Sequence, residues 1–573
     1  MKLKYYLSIF IVFLLQFPVG SFAQGLIIPS RTYFIANSGN LVLYKNLVDS
    51  GTFTHNGGTL IFAGTTQKIS GTSHTVFNNI TIASTSKTTI NAPCQSIKKI
   101  LLCNDTLNAN ANLTLLSTAA QTALIDGSGT GQVLGNVTMQ RYLDTSFGYK
   151  YISSPFIAAT IGQLSGYVNL SAVFPSFYGY NENVSYAGWV MDTAAADTIK
   201  PMYGYAANFG SVFSNATFSL TGIVSNGAMT KTLYNHNNTY TLGFNLVGNP
   251  YPSPINWTAS SGWTKTNIDN AIYYFNHGDT NRYYGRYNSY INGISSDGVA
   301  TNIIPAMQGF FVHVTNGSYP VTATLACTNA VRTNNPTPYY HKQTSGNRPL
   351  VRIDAGFLNG LHSDPTVIYF DDLASAGFDK ELDALKLMNT DAAIPSLYSV
   401  SQDENMSIQA LPTPTDSNTD MIPLGLITEQ DGWVDFNTRT IEMIPAGMHV
   451  YFLDAATGVV QDLRSTPKYS RYLNKGKYQN RFFLMLTFKD KTDIPVFNSE
   501  LNAYTYGNNL FVYLTYGSSD LIITNMAGQI ILKQQLNSNG YHQIYCPFVT
   551  GIYVVTLFSN MGKQSKKILI NTQ

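Results

Sequence analysis

The sequence predicts an all-β protein made of several domains, and three observations support this prediction. Charged residues make up 12% of the chain, against about 25% in an average soluble domain. Asn, Thr, Ser, Gly and Tyr take their place, and these residues favour turns or strands over helices. Short runs with alternating apolar residues recur along the chain, as in half-buried strands. At 573 residues the chain is also too long for one hydrophobic core.

The first 23 residues have the pattern of a cleavable secretory signal. Lys2 and Lys4 precede an apolar run over residues 5–17, and Ser21-Phe22-Ala23 fits the rule for cleavage before Gln24. This run is shorter than the roughly 20 residues that a membrane-spanning helix needs. We therefore expect an exported mature chain without a transmembrane helix. A net charge of +2 also gives no field that would attract nucleic acid.

Residues 24–148 consist of short alternating strands separated by Gly, Asn and Thr, for example at 58–64, 67–71, 76–82 and 135–142. Similar strands stacked in series predict a parallel β-helix, or β-solenoid. Their spacing is irregular, so a β-sandwich is an alternative. Four cysteines are too few for a disulfide scaffold. Cys94 and Cys103 could pair across adjacent strands, or all four could be single buried thiols.

The middle of the chain predicts two further β domains. Residues 149–334 are rich in Tyr, Asn and Gly and indicate a β-sandwich. A linker rich in Pro, Asn and Thr at 335–348 separates them from a second sandwich-like domain at 349–493. One short helix is expected at 379–388, ending near Asn389.

A cluster of aromatic and basic residues in the 149–334 domain is the candidate binding surface. Tyr rings can stack on sugar faces while Arg side chains supply hydrogen bonds, and the same combination suits protein interfaces. The alternative is that alternate Tyr residues fill the core of the sandwich. The candidate residues are Tyr273, Tyr274, Tyr283, Tyr284, Tyr287, Arg282 and Arg286.

The densest acidic segment gives a candidate calcium site at Asp371, Asp372 and Asp379. Several carboxylates from loops suit calcium, although the spacing is not that of an EF-hand. Aspartates that form turns or precede a helix explain the same pattern. The sequence indicates no other cofactor.

Recognisable enzyme motifs are absent. Nothing matches Gly-x-Ser-x-Gly, His-Glu-x-x-His or a phosphate-binding loop, and the scattered glutamates do not suggest a glycosidase pair. We expect a non-catalytic structural or adhesive protein that binds glycans or other surface proteins. The alternative is an extracellular polysaccharide-degrading enzyme with an unrecognised carboxylate site, since catalytic groups are defined by geometry and not by sequence order.

Residues 494–573 form a separate all-β module, with strands at 509–514, 521–524, 530–532, 543–545, 551–557 and 566–570. Gly528 lies in a turn, Gly551 begins the strand that carries Tyr553, and Lys566 and Lys567 begin the last strand. The module resembles the type A C-terminal sorting domain of the type IX secretion system, found in Bacteroidetes.

The resemblance implies the type IX secretion machinery as a partner. It also implies passage through the periplasm to the outer-membrane surface or the medium, with anchoring, release and oligomeric state left open. Cys546-Pro547 departs from the Leu-Pro that usually approaches Gly551 in this family. Residues 243–253 and 305–314 resemble segments of large surface proteins of the same bacteria whose activity is undefined, which supports the sandwich prediction.

Overall fold

The computed structural model confirms the all-β fold class. It describes residues 25–570 except 175, 185–186, 279–280, 338–347, 402–403, 414–419, 489–500, 502, 507–508, 515–518, 538–539 and 560–561. Within these residues the only helices are short 3₁₀ helices at Ile161–Leu164 and Asn329–Val331. Neither of them has the length or apolar character to cross a membrane. The predicted signal at 1–23 and most of the predicted linker lie outside the described residues.

The first of two compact units, made mainly of residues up to Gln140, is a parallel β-solenoid of about 5 turns. Its strands are β1 Leu26–Ile28, β2 Tyr33–Ala36, β3 Asn40–Leu43, β4 Leu47–Asp49, β5 Thr52–His55, β6 Thr59–Phe62, β7 Thr66–Ser70, β8 Val76–Ile82, β9 Lys87–Ile90, β10 Gln95–Cys103, β11 Thr106–Asn108, β12 Leu113–Leu115, β13 Leu124–Ile125, β14 Gln132–Leu134 and β15 Asn136–Leu143. Strands of successive turns pair in parallel, as Leu26 does with Leu47 and Leu47 with Ile69. The solenoid prediction is confirmed over the sandwich alternative.

Apolar side chains stack in columns inside the solenoid. Phe77, Ile97, Leu115 and Met139 lie in register on successive turns, and all four are fully buried. A bulge in β10 between Ile97 and Ile100 interrupts the register. The inward columns are the physical reason for the alternating pattern in the sequence.

The four cysteines are all free thiols. Cys94 is exposed, whereas Cys103 is buried with its Sγ 3.3 Å from the carbonyl oxygen of Gln132. Burial raises the pKa of Cys103 to about 11. The Cys94–Cys103 disulfide alternative is therefore wrong, and the buried-thiol alternative holds for Cys103, Cys327 and Cys546.

We expect His55 to make the solenoid sensitive to acid. The ring is 2% exposed, and its Nδ1 accepts the backbone N–H of Asn78 at 3.1 Å. Burial lowers its pKa below the ordinary value of 6.5. Folding therefore favours the neutral ring, and the stability that this provides is present above pH 6.5 and is lost as the pH falls below that value.

We expect the free energy of unfolding to decrease from about pH 7 to about pH 5, and to decrease less in His55→Phe, which has no titrating ring. Urea titrations at both pH values measure this, and an equal decrease in the two proteins would contradict it.

The second compact unit begins with strands of the 149–334 segment. They are β16 Tyr149–Ile152, β17 Phe177–Tyr180, β18 Trp189–Met191, β19 Tyr205–Asn208, β20 Ala216–Ile223, β21 Met229–Asn235, β22 Phe244–Gly248, β23 Ile255–Asn256, β24 Trp263–Thr266, β25 Ile268–His277, β26 Gly285–Ile291, β27 Ile294–Ser295, β28 Ile303–Ile304, β29 Gly309–Val314 and β30 Val321–Cys327. The central sheet has the order β22-β29-β25-β26-β27. On one face it shares a core with the sheet β21-β30-β24, around Trp257 and Phe310. These two sheets form the predicted sandwich.

The other face of the central sheet is also buried. Phe244, Tyr273 and Phe311 project from it into a cluster with Tyr149 and Tyr151 of the sheet β16-β19-β17-β18. Every residue of β22 and β29 is buried. A sheet covered on both faces explains why these strands read as continuous apolar runs in the sequence.

The described strands of the 349–493 segment form one large sheet with its own core. Its strands are β31 Leu350–Phe357, β32 Asp364–Phe370, β33 Ala384–Leu385, β34 Ser396–Ser401, β35 Glu404–Leu411, β36 Asp420–Thr428, β37 Gly432–Glu442, β38 His449–Asp454, β39 Val459–Asp462, β40 Lys468–Leu473 and β41 Gly476–Thr487. Inward residues such as Val351, Leu424 and Phe452 belong to one cluster. Tyr369 and Ile408 join the cluster of Tyr151 and Tyr273 instead, so the two predicted sandwiches share buried contacts.

The predicted helix at 379–388 is wrong. The backbone N–H of Asp383 reaches the carbonyl of Asp379, which closes a single turn. The Asp383 carboxylate then accepts N–H groups of Asp379 and Ala410, each at 2.6 Å. This fixes the next residues as β33, which pairs with β35. A side chain that satisfies backbone donors in this way competes with helix formation.

The C-terminal module is a small sandwich with its own core. Its strands are β42 Ala503–Tyr506, β43 Asn509–Leu514, β44 Ser519–Asn525, β45 Ile530–Leu536, β46 Gly540–Tyr545, β47 Gly551–Ser559 and β48 Gly562–Ile570. The sheets β42-β43-β46 and β45-β44-β47-β48 enclose Leu510, Ile523 and Val555. The sandwich prediction for this module is confirmed.

Candidate functional site

The hairpin of β25 and β26 carries most of the predicted aromatic surface, but several of its rings are inside the protein. Tyr273 is 1% exposed within the core. Tyr274 packs against the core on the other face of the sheet, around Trp257, and donates its hydroxyl to the Thr301 carbonyl at 3.1 Å. Tyr287 shares a 2.9 Å hydrogen bond with the hydroxyl of Tyr151. The prediction of an exposed surface is therefore wrong for Tyr273, Tyr274 and Tyr287, because the hairpin lies in a sheet covered on both faces.

The two predicted arginines have different surroundings. Arg286 Nη1 donates to the carbonyl of Ser363 at 3.2 Å and so ties the hairpin to the 349–493 segment. Arg282 donates from Nη2 to the hydroxyl of Tyr283 at 2.6 Å, and its guanidinium carbon lies 4.8 Å from the centre of that ring. Arg282 is thus held beside Tyr283 at the end of the hairpin, whereas Arg286 connects the hairpin to the 349–493 segment.

The end of the β25–β26 hairpin combines with two loops to expose three aromatic rings beside a half-buried fourth, Tyr283. Tyr283 and Tyr284 belong to the hairpin, and Phe174 and Phe213 come from the loops before β17 and after β19. The side chains of Phe174, Phe213 and Tyr284 are 55%, 60% and 45% exposed. Val173 and Val212 beside them are also exposed. We call these six residues the hairpin-end patch.

The loops of the patch are fixed by aromatic and backbone contacts. Phe213 stacks on the buried ring of Phe147, with centroids 4.0 Å apart and planes 10° from parallel. Phe174 meets Tyr283 edge to face at 4.9 Å. Gly148 has a φ of +74°, and a Cβ there would lie 3.0 Å from the Arg282 carbonyl. Another residue would be strained at this φ, so Gly148 suits the close approach of the segment before β16 to the hairpin.

The patch has the chemistry of a binding surface for flat, partly apolar groups. Exposed rings offer large rigid contact areas, and single-sided apolar patches on soluble proteins often mark interaction sites. Arg282 supplies a cationic hydrogen-bond donor beside Tyr283. Sequence reasoning identified Tyr283, Tyr284 and Arg282 but missed the two phenylalanines. The available signal was the isolated Val-Phe pair in each loop, at 173–174 and 212–213.

The three aspartates of the predicted calcium site are not brought together. Asp371 pairs with Arg348 at 3.2 Å, Asp372 accepts the Thr413 hydroxyl, and Asp379 accepts the N–H of Ser375. Each carboxylate is therefore used by a turn or by a single neighbour. Across the described part of the chain, no group of three or more His, Cys, Asp or Glu side chains is placed to hold a metal ion. The structure therefore gives no support to a site at Asp371, Asp372 and Asp379, and calcium binding stays a prediction.

The acidic segment contains two buried carboxylates of a different kind. Burial raises the pKa of Asp383 to about 7. Asp364 pairs with Lys386 at 2.5 Å, and both side chains are at most 1% exposed. Burial raises the pKa of Asp364, while the Lys386 charge opposes that shift. Both groups are enclosed in the core and hold neighbouring strands together.

The predicted residues of the C-terminal module lie in one of its turns and on its last two strands. Gly528 has a φ of +81° in the turn between β44 and β45, where the Asn525 side chain accepts two backbone N–H groups. Gly551 begins β47, and the Tyr553 hydroxyl donates to the Val549 carbonyl at 2.9 Å. Lys566 is half-buried and Lys567 is exposed on β48. Gly528 lies in a turn, as predicted.

Comparisons with known proteins give a family without an assigned activity. A family model described as "Domain of unknown function (DUF8693)" matches residues 45–486. No curated protein matches significantly. A solved structure titled "Biofilm associated protein - BSP domain" aligns over 76% of this chain and 92% of its own at 9% identity. Its TM-score of 0.12 is too low to support a shared fold or function.

Proposed function

Because the chain belongs to the DUF8693 family, whose description assigns no activity, we propose its function from its own geometry and sequence. We propose a non-catalytic structural or adhesive protein of the cell surface or the medium, exported through its C-terminal module. It binds glycans at the hairpin-end patch. The observation that carries the binding proposal is that two exposed phenylalanines, Phe174 and Phe213, pack against Tyr283 and His277 of the hairpin that also exposes Tyr284.

The surroundings of the patch support a carbohydrate ligand. Phe213 is supported from beneath by the buried Phe147, so its ring is held in place before a ligand arrives. A preorganised ring loses little conformational entropy on binding. Sugar rings present apolar C–H faces that pack on aromatic rings, and their hydroxyls suit the Arg282 guanidinium.

The export proposal is supported by the C-terminal module. It has a core of its own, and its turn at 525–529 contains Gly528 with a positive φ. The predicted signal peptide supplies the first membrane crossing. Passage to the surface is then assigned to the module and the type IX machinery.

Co-sedimentation with insoluble polysaccharides tests the binding site. The triple variant Phe174→Ser, Phe213→Ser, Tyr284→Ser should bind at least about tenfold more weakly, since each lost ring removes about 1.5–3 kcal/mol of burial and 1.4 kcal/mol is tenfold. Trp433→Ser is the matched control, because Trp433 is 51% exposed and contacts another exposed aromatic residue, Tyr472, at 6.0 Å. Loss of binding in the control with retention in the triple variant would overturn the proposed site.

A further inference from the structure

The first turn of the solenoid, residues 25–46, has an open edge. Strands β1, β2 and β3 pair with β4, β5 and β6 on one side. On the other side none of them has a partner among the described residues. Edge strands with unpaired N–H and C=O groups are templates for pairing with another chain.

The same turn carries an unusual concentration of exposed apolar side chains. Of six large apolar residues exposed between 25 and 140, only Leu134 lies outside it. Tyr33 and Ile35 are 76% and 60% exposed, and the positions paired with them in the second turn carry Thr52 and Thr54. The first turn therefore has apolar residues where its neighbour has polar ones, as expected of a covered surface. The five exposed residues are Ile27, Tyr33, Ile35, Val42 and Tyr44.

We propose that this edge is an interface with a second copy of the chain, joined end to end through the two first turns. A single extended peptide could pair with only one of β1, β2 and β3, whereas a second first turn offers three unpaired edges at once. An end-to-end contact that uses the same surface on both copies is closed and stops at a dimer.

The charge of the turn makes a second copy distinguishable from other partners. Arg31 and Lys45 are its only charged residues. Two copies bring like charges towards each other, and salt screens this repulsion, so salt should strengthen the association. An acidic partner would be held by the same two cations, and salt would weaken its binding.

Sedimentation velocity of the full mature chain tests the proposal, with the N-terminus defined by mass spectrometry. We expect a dimer that is tighter at about 0.5 M than at about 0.05 M salt. Ile35→Lys should weaken it at least about tenfold, because a lysine on an edge strand opposes pairing. Leu134→Lys, the same kind of change in the last turn, should leave the dimer intact. Circular dichroism melting of both variants establishes that they fold.

Three results would overturn the proposal. The first is a folded mature chain that stays monomeric up to about 100 µM, where even a weak specific dimer would form. The second is a dimer that Ile35→Lys leaves unchanged. The third is a monomer that retains residues 1–23, since the chain's own leader would then replace the second copy.

Discussion

Deleting residues 494–573 should trap the protein in the periplasm. The signal peptide still directs the first crossing, but the module assigned to the type IX machinery is gone. The module encloses its own core around Leu510, Ile523 and Val555, so its removal leaves the preceding β segments with their own cores. Cell fractionation and surface labelling measure the outcome, and we expect the surface-exposed fraction to fall to background.

Two controls separate export from folding in this experiment. The melting temperature of the truncated protein shows whether the remaining segments fold. Attaching residues 494–573 to an unrelated periplasmic protein should bring that protein to the surface. Normal surface display of the truncated chain would refute the role of the module.

Replacing Lys386 by methionine should destabilise the protein by about 3–5 kcal/mol. The reason is that Asp364 would keep a buried carboxylate without its partner, and both side chains are at most 1% exposed. Asp364 Oδ2 also accepts the N–H of Leu397 at 2.7 Å, which cannot replace a full positive charge. Urea unfolding followed by circular dichroism measures the change in the free energy of unfolding.

The double variant Asp364→Leu, Lys386→Met should recover much of that loss, because apolar pairs often replace buried ion pairs at little cost. Lys475→Met is the control. Its partner is Glu429 at 2.9 Å, the two side chains are 63% and 53% exposed, and an exposed pair contributes only about 0–1 kcal/mol. Equal losses in Lys386→Met and Lys475→Met would contradict the assignment of a buried charge pair.

The sequence predicted local features of the fold well. Alternation identified the solenoid strands, because inward columns such as Phe77, Ile97 and Leu115 continue over successive turns. The turn at Gly528 was predictable because its geometry depends only on local residues, the Asn525 side chain and Gly528 itself. The spacing looked irregular because the turns differ in length: Ile69 pairs with Ile90, 21 residues later, whereas Leu107 pairs with Val133, 26 residues later.

Long-range contacts explain the wrong predictions. The aromatic pattern of the β25–β26 hairpin does not reveal that both sheet faces are covered, so Tyr273 was predicted at a surface that is in fact a core. Asp383 was predicted to lie in a helix, but its carboxylate accepts the backbone N–H of Ala410, which is remote in sequence. The hairpin-end patch needed Phe174 and Phe213, whose approach to Tyr283 and Phe147 depends on the tertiary fold.

The proposed glycan binding is tested most directly by a glycan array probed with the mature chain lacking residues 494–573, alongside the triple variant of the hairpin-end patch. Turnover of each bound polysaccharide is followed by the release of reducing ends. We predict selective binding that the triple variant loses, without turnover. No binding to any glycan, together with polysaccharide turnover, would contradict the proposal and favour the enzyme alternative.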